Sequence, residues 1–332
     1  NDGFKIDAEV FCLLEGTNPQ NMAKSTGIAL LELPTVFSRL NPDFILTIGD
    51  RFETMATSVA ASYMNIILVH TMGGEISGTI DESIRHSITK LSHLHFAANK
   101  TAASNIKKLG EYSNSVFNVG CPRVDQVSKI LKTKKDDSTY KIINEIGVGF
   151  KIDFKKKYLI LSYHPVTSEY GSAEDQIIEC LKAIKKVGEQ SIVLWPNADA
   201  GSDDIVKGIR KWREFGLTNK MRFIKHLDME DYITLMKNTC CLIGNSSSGI
   251  REGSFIGTPT VDIGTRQQFR EIAKNVLRVK CNALEITKAI NKQINHGKYK
   301  KSTLYGDGKA SKRIVDILYK KKISTQKRLC WK

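Results

Sequence analysis

Residues 43–70 read "DFILTIGD", "RFETMATSVAASYM" and "NIILVH" in succession, and this stretch decides the fold. The first run is apolar and closes on Gly49 and Asp50. The second carries small and apolar residues at helical spacing, and the third is another apolar run closing on His70. Strand, helix, strand at this spacing is a βαβ unit of a parallel sheet, whose functional loops lie at the carboxyl ends of the strands. Asp50 and His70 both fall at such ends.

Outward from this unit the rhythm continues. A helix over 80–92, a strand "HLHFAA" (93–98), a helix "KTAASNIKKLG" (100–110) and a strand "SVFNVG" (115–120) lead to a turn-like "CPRVD" (121–125). A lysine-rich stretch over 132–158 interrupts the pattern, and "YLILSYHP" (158–165), "EDQIIECLKAIKKV" (174–187) and "SIVLWPN" (191–197) restart it. Single cores stop growing near this chain length, so two α/β domains are expected. They are an amino-terminal α/β domain over 1–140 and a carboxyl-terminal one over 141–318, followed by a basic tail over 319–332. The opening "NDGFKIDAEVFCLLEG" (1–16) reads as strand-like and, with no initiating methionine, as the start of a trimmed chain.

The formal charge of +15 raises the question of a nucleic-acid partner. Most of the excess is lysine scattered along helical segments. Neither dense patch, "KTKKDD" (132–137) nor "YKKKISTQKRLCWK" (319–332), is interleaved with base-stacking aromatics. No nucleic-acid partner is expected, and solvated faces account for the charge more simply than an anionic ligand or a weak polyanion surface. No pair of the seven cysteines shows CxxC spacing, which favours free thiols and a cytoplasmic location. No apolar span is long enough for an integral membrane protein, and no histidine cluster has the spacing of a metal site.

The clearest local signal is "IGNSSSGIREG" (243–253). Ser246, Ser247, Ser248 and Gly249 fall between a strand and a helix. Hydroxyls and backbone amides there either surround a phosphate or serve as ordinary N-caps. Glu252 is either a capping-box partner or an acceptor for sugar hydroxyls. Arg266 follows a strand, as a diphosphate clamp would and as a surface arginine also would. His164 ends a strand before Pro165 and can hydrogen-bond a phosphate, transfer a proton or simply order its loop; Asn197 has a similar position. Neither GxxxxGK[ST] nor GxGxxG is present, which weighs against a P-loop and weakens a dinucleotide reading. In the first domain, Gly73 and Gly74 allow close backbone approach beside Glu75. Asp81 and Arg85 share one helix face, as a pair that stabilises the helix or as part of a site. Asp50, facing them from a strand end, makes a paired-carboxylate site possible.

Taken in order, "IGDRFE", "GGEISGTIDESIRHSITKLSH", "GCPRVD", "HPVT", "PNADAG", "IGNSSSGIRE" and "GTPTVDIGTRQQFRE" resemble the hydrolysing UDP-N-acetylglucosamine 2-epimerases over most of the chain. That resemblance implies an α/β fold of two Rossmann-like domains with GT-B architecture, the first truncated at its amino terminus. It also implies cleavage of a UDP-2-acetamido sugar to UDP and the free C2-inverted sugar, feeding sialic, legionaminic or related acid synthesis. No cofactor is required, and a homo-oligomer, dimer or tetramer, is implied. By the same resemblance Asp50, Asp81, Glu75, Arg85 and His164 are the catalytic group. His164, Asn197, Ser246, Ser247, Glu252 and Arg266 bind the UDP-sugar.

Two departures accompany the resemblance. Several family members have a glutamate where this chain has Met72, and a thioether transfers no proton. Family chains also begin with a further strand and a glycine- and arginine-containing loop. Two other readings stay open: a non-hydrolysing 2-epimerase, against which the wording of "GGEISGTIDESIRH" counts, and a catalytically silent UDP-sugar-binding protein.

Overall fold

A computed structural model describes residues 3–16, 18–133, 138–197 and 199–330. The chain forms two compact units, one of Asn1–Ile76, Ile80–Val119 and Arg313–Lys332, the other of Ser77–Thr79 and Gly120–Lys312. The division at Val119/Gly120 differs from the expected boundary near 140. "CPRVD" is not a turn but the start of a helix of the second unit, with proline at its first position, where a missing N–H costs nothing. The "KTKKDD" patch falls largely outside the described residues.

The first unit contains α1 (Pro19–Leu40), β1 (Phe44–Ile48), α2 (Phe52–Tyr63), β2 (Ile67–Thr71), α3 (Ile80–Leu91), β3 (Leu94–Ala97), α4 (Lys100–Lys108) and β4 (Val116–Asn118). Its four strands are parallel and lie in chain order, β1-β2-β3-β4. β1 is an edge strand whose Phe44, Leu46 and Ile48 are exposed, whereas Val69, Leu94, Phe96 and Val119 form a buried cluster. The opening residues 3–16 hold no strand. The regular structure begins at α1, where Asn18 caps the helix by accepting from the Asn21 amide at 2.8 Å and Pro19 takes the first position.

The second unit contains α5 (Pro122–Lys132), α6 (Ser138–Glu145), β5 (Val148–Gly149), β6 (Tyr158–Ser162), α7 (Ala173–Val187), β7 (Gln190–Leu194), α8 (Ser202–Glu214), β8 (Met221–Ile224), α9 (Met229–Asn238), β9 (Cys241–Gly244), α10 (Glu252–Ile256), β10 (Thr260–Ile263), β11 (Val276–Val279) and α11 (Ala283–His296). Its sheet runs β11-β10-β9-β6-β7-β8-β5, parallel except for β5, which pairs antiparallel with β8. The order grows outward from β6 in both directions, so the sheet reverses between β6 and β9. The central strands are buried on both faces and read as unbroken apolar runs, as a sheet covered by helices requires. Each fully buried aliphatic side chain there, such as Leu161 or Ile243, contributes about 1.5–3 kcal/mol.

α12 (Ala310–Lys320) carries the chain back into the first unit. Among the described residues after it, Lys327 and Cys330 anchor the segment to the first unit. The Lys327 ammonium donates to the Glu111 carboxylate at 2.6 Å and to the Ser92 carbonyl, and the Cys330 amide donates to the Gly110 carbonyl at 2.8 Å. A lysine placed at the carboxyl end of α3 meets carbonyls that the helix itself leaves open. No described helix is long and apolar enough to cross a membrane.

Candidate active site

In the first unit the predicted residues gather around Arg85, whose side chain is 1% exposed. Its Nε donates to Asp50 Oδ2 at 2.7 Å, Nη2 pairs with the same oxygen, and Nη1 donates to the Glu75 carbonyl at 2.5 Å. Arg85 points inward from α3 and so reaches Asp50, a longer-range partner than its helix neighbours. Asp81 occupies the first turn of the same helix, one turn before Arg85, and is half-buried. The Glu75 side chain is buried. Asp50 presents a carboxylate already matched to a guanidinium and still 21% exposed.

The sequence reading missed what holds Asp50. His70 is fully buried on β2 and its Nε2–H donates to the Gly49 carbonyl at 2.8 Å, one residue before Asp50. Burial, chiefly, keeps this imidazole neutral by lowering its pKa to about 4. Its Nδ1 faces the Thr89 hydroxyl at 3.4 Å. A Cβ on Gly73 would stand 2.9 Å from His70 Nδ1, and one on Gly74 would stand 2.2 Å from the Ala102 carbonyl oxygen, so the glycine pair is what lets this corner close. Met72, at φ 65, is a buried non-glycine residue in the left-handed region, its amide held by the Phe96 carbonyl at 2.8 Å. His93 and His95 are structural: His93 Nδ1 accepts from the Leu68 amide and buried His95 Nε2 meets Glu111 Oε2 at 3.1 Å.

In the second unit the loops after β6 and β9 lie side by side where the strand order reverses, the position at which open α/β sheets bind ligands. Asn245 joins them. It accepts from the His164 amide at 2.7 Å and donates to the His164 carbonyl at 2.8 Å, while its own carbonyl takes Arg266 Nη1 and Gln267 Nε2, both at 3.2 Å. This residue was also missed, although it directly precedes the serine run. His164 accepts the Asn197 amide on Nδ1 at 3.2 Å, which leaves Nε2 carrying the proton, 3.3 Å from the Ser162 hydroxyl. Burial first, and Arg266 second, lower its pKa to about 3. At neutral pH its Nε2–H is thus available as a hydrogen-bond donor. Asn197 contributes its backbone, its side chain being exposed.

The serine loop differs in detail from expectation. Ser246 caps a single 3-10 turn, Ser247–Gly249, and α10 has only five residues, so no long helix dipole stands behind it. Instead the Ser246, Ser248 and Tyr232 hydroxyls form a chain with contacts of 2.9 and 2.6 Å. Burial raises the Tyr232 pKa to about 12, so the phenol stays neutral. Glu252 opens α10 rather than closing a capping box, and its Oε1 lies 3.5 Å from Arg123 Nε. Arg266 is 15% exposed and lies 3.9 Å from Asp199. Among the described residues no group of three or more His, Cys, Asp or Glu could hold a metal ion, and all seven cysteines are free.

Two α/β units, one with a buried acid–guanidinium cluster and the other with an amide- and hydroxyl-lined switch point, define a two-domain protein of GT-B-like fold. The UDP-N-acetylglucosamine 2-epimerase profile matches residues 1–319, and the chain belongs to that family. It is 36% identical over 317 residues to the UDP-N,N'-diacetylbacillosamine 2-epimerase (hydrolyzing) of Legionella pneumophila, covering 96% of this chain and 81% of that one. It is 33% identical over 284 residues to the GDP/UDP-N,N'-diacetylbacillosamine 2-epimerase (hydrolyzing) of Campylobacter jejuni, covering 85% and 72%. Among solved structures, the UDP-GlcNAc 2-epimerase of Neisseria meningitidis bound to UDP-GlcNAc shares the fold with a TM-score of 0.76 at 20% identity, covering 90% of this chain and 82% of that one.

Proposed function

We propose that this protein hydrolyses a UDP-2-acetamido sugar, UDP-N-acetylglucosamine or UDP-N,N'-diacetylbacillosamine, to UDP and the free sugar inverted at C2. The observation that carries the reading is the near full-length likeness to the two hydrolyzing enzymes. In this reaction a carboxylate takes the C2 proton while the C1–O bond breaks and its electron pair leaves with UDP. Water then adds to the unsaturated sugar, hydroxyl to C1 and a proton to C2 from the opposite face.

The geometry of each unit supports a division of these tasks. Asp50, Asp81 and Glu75 are the proposed proton carriers, with Asp50 oriented by Arg85. The leaving diphosphate is proposed to meet Arg266, the Nε2–H of His164, the Asn197 loop and the Ser246–Ser247 hydroxyls and amides, donors fixed before substrate arrives. Glu252 is assigned to the ribose. A cytoplasmic location and a homo-oligomer, dimer or tetramer, belong to the same proposal, the free thiols supporting the first.

The test is incubation with each UDP-sugar, followed by proton NMR of the products. Free manno sugar plus UDP is the expected result. A UDP-linked epimer would make the protein a non-hydrolysing enzyme, and UDP binding without turnover would make it a silent binder, the reading that Met72 in place of an acid favours.

A further inference from the structure

Arg123 is a charged side chain of the second unit that the roles above leave unused. Its backbone is firmly held. Pro122 opens α5, the Cys121 amide donates to the Tyr305 carbonyl at 2.8 Å, and the Asp125 carboxylate accepts from the Ala310 and Ser311 amides at 2.9 and 2.6 Å. The guanidinium Nε lies 3.5 Å from Glu252 Oε1. The Glu252 side chain is only 8% exposed, whereas Arg123 is 57% exposed and reaches it from the rim. The second carboxylate oxygen, Oε2, is buried and meets no hydrogen-bond donor among the described residues.

A buried carboxylate oxygen without a donor is destabilising by itself and favourable once a ligand hydroxyl fills the place. The neighbouring Tyr232 phenol already has the Ser248 hydroxyl as its partner. Glu252 therefore has one oxygen set against a cation and the other waiting for a donor.

We propose that Arg123 is a positioning residue that fixes the Glu252 carboxylate so that Oε2 accepts a ribose 2'-hydroxyl, making the site select ribonucleotides over 2'-deoxyribonucleotides. The inference rests on the UDP-sugar reading and adds to it the residue that sets sugar discrimination in the nucleotide. Arg123 acts through Glu252 and does not touch the ribose.

Calorimetric titration with UDP and with 2'-deoxy-UDP tests it on the wild type, Arg123→Ala, Arg123→Lys and Glu252→Gln. The wild type is expected to prefer UDP by about thirtyfold, one charge-assisted hydrogen bond in size. Arg123→Ala should cut that preference to about threefold while leaving 2'-deoxy-UDP affinity within about twofold, and Arg123→Lys, which keeps the charge, should restore most of it. An unchanged preference in Arg123→Ala, or an equal loss for both nucleotides, would overturn the inference while leaving the UDP-sugar reading in place. So would an unchanged preference in Glu252→Gln. A wild type that binds neither nucleotide would overturn the reading itself.

Discussion

In the first unit Arg85 is buried against the Asp50 carboxylate, whereas in the second His164 is buried, neutral, among amides and hydroxyls. The first arrangement places ions in a poorly solvated corner, which costs desolvation and is kept where charge has chemistry to do. The second holds its dipoles in fixed hydrogen bonds, the kind of preorganisation that the proposed diphosphate site would use. The proposed function would place proton chemistry and nucleotide binding on these separate devices, so that each could be perturbed alone.

Acid should affect both units, the second over a wider range. His70 and His164 have folded pKa values of about 4 and about 3 against 6.5 for the free side chain. Between those values the unfolded chain binds the extra protons. Their contribution to stability is therefore full above pH 6.5 and is lost as the pH falls toward 4 for His70 and toward 3 for His164, at a slope on the order of 1 kcal/mol per pH unit for each. Urea unfolding across this range checks the sign, and His164→Gln should flatten the lower part of the profile.

Arg85→Ala leaves Asp50 and the Glu75 carbonyl without their donor and should destabilise by about 3 kcal/mol with loss of turnover. Arg85→Lys should recover stability better than activity, since an ammonium cannot hold both partners in one plane. Asn245→Ala removes both bonds to the His164 backbone and should cost about 2 kcal/mol and weaken UDP binding, read by unfolding and titration. Arg266→Ala sits at the small end for stability, at about 1 kcal/mol for its bond to the Asn245 carbonyl, but should lower UDP affinity about tenfold. An Arg266→Ala protein with unchanged UDP affinity would remove that residue from the nucleotide site.

The βαβ rhythm was legible because buried parallel strands are short apolar runs that cannot be confused with the longer helices between them. The serine run and the glycine pair were legible as loops at strand ends. The opening segment was misread because apolar alternation without a partner strand makes no sheet, while the Asn18–Pro19 helix start beyond it passed unnoticed. β11, as "VLRV", is too short to stand out, and α12 was partly absorbed into a lysine-rich tail. Candidate site residues were legible by type and by their places at strand ends. Those that hold them, His70 on the Gly49 carbonyl and Asn245 on the His164 backbone, were not, since their role lies in contacts across the sheet. The grip of Arg85 on Asp50 was not legible for the same reason: thirty-five residues separate the two, and only the fold brings them together.

The most direct test of this division of labour is Asp81→Asn, read by UDP titration and by turnover of the UDP-sugar on the same protein. The account predicts UDP affinity within a few fold of the wild type, which also shows that the variant is folded, together with loss of C2-inverted free sugar. Turnover that survives the substitution, or UDP affinity that falls as far as in Arg266→Ala, would contradict it.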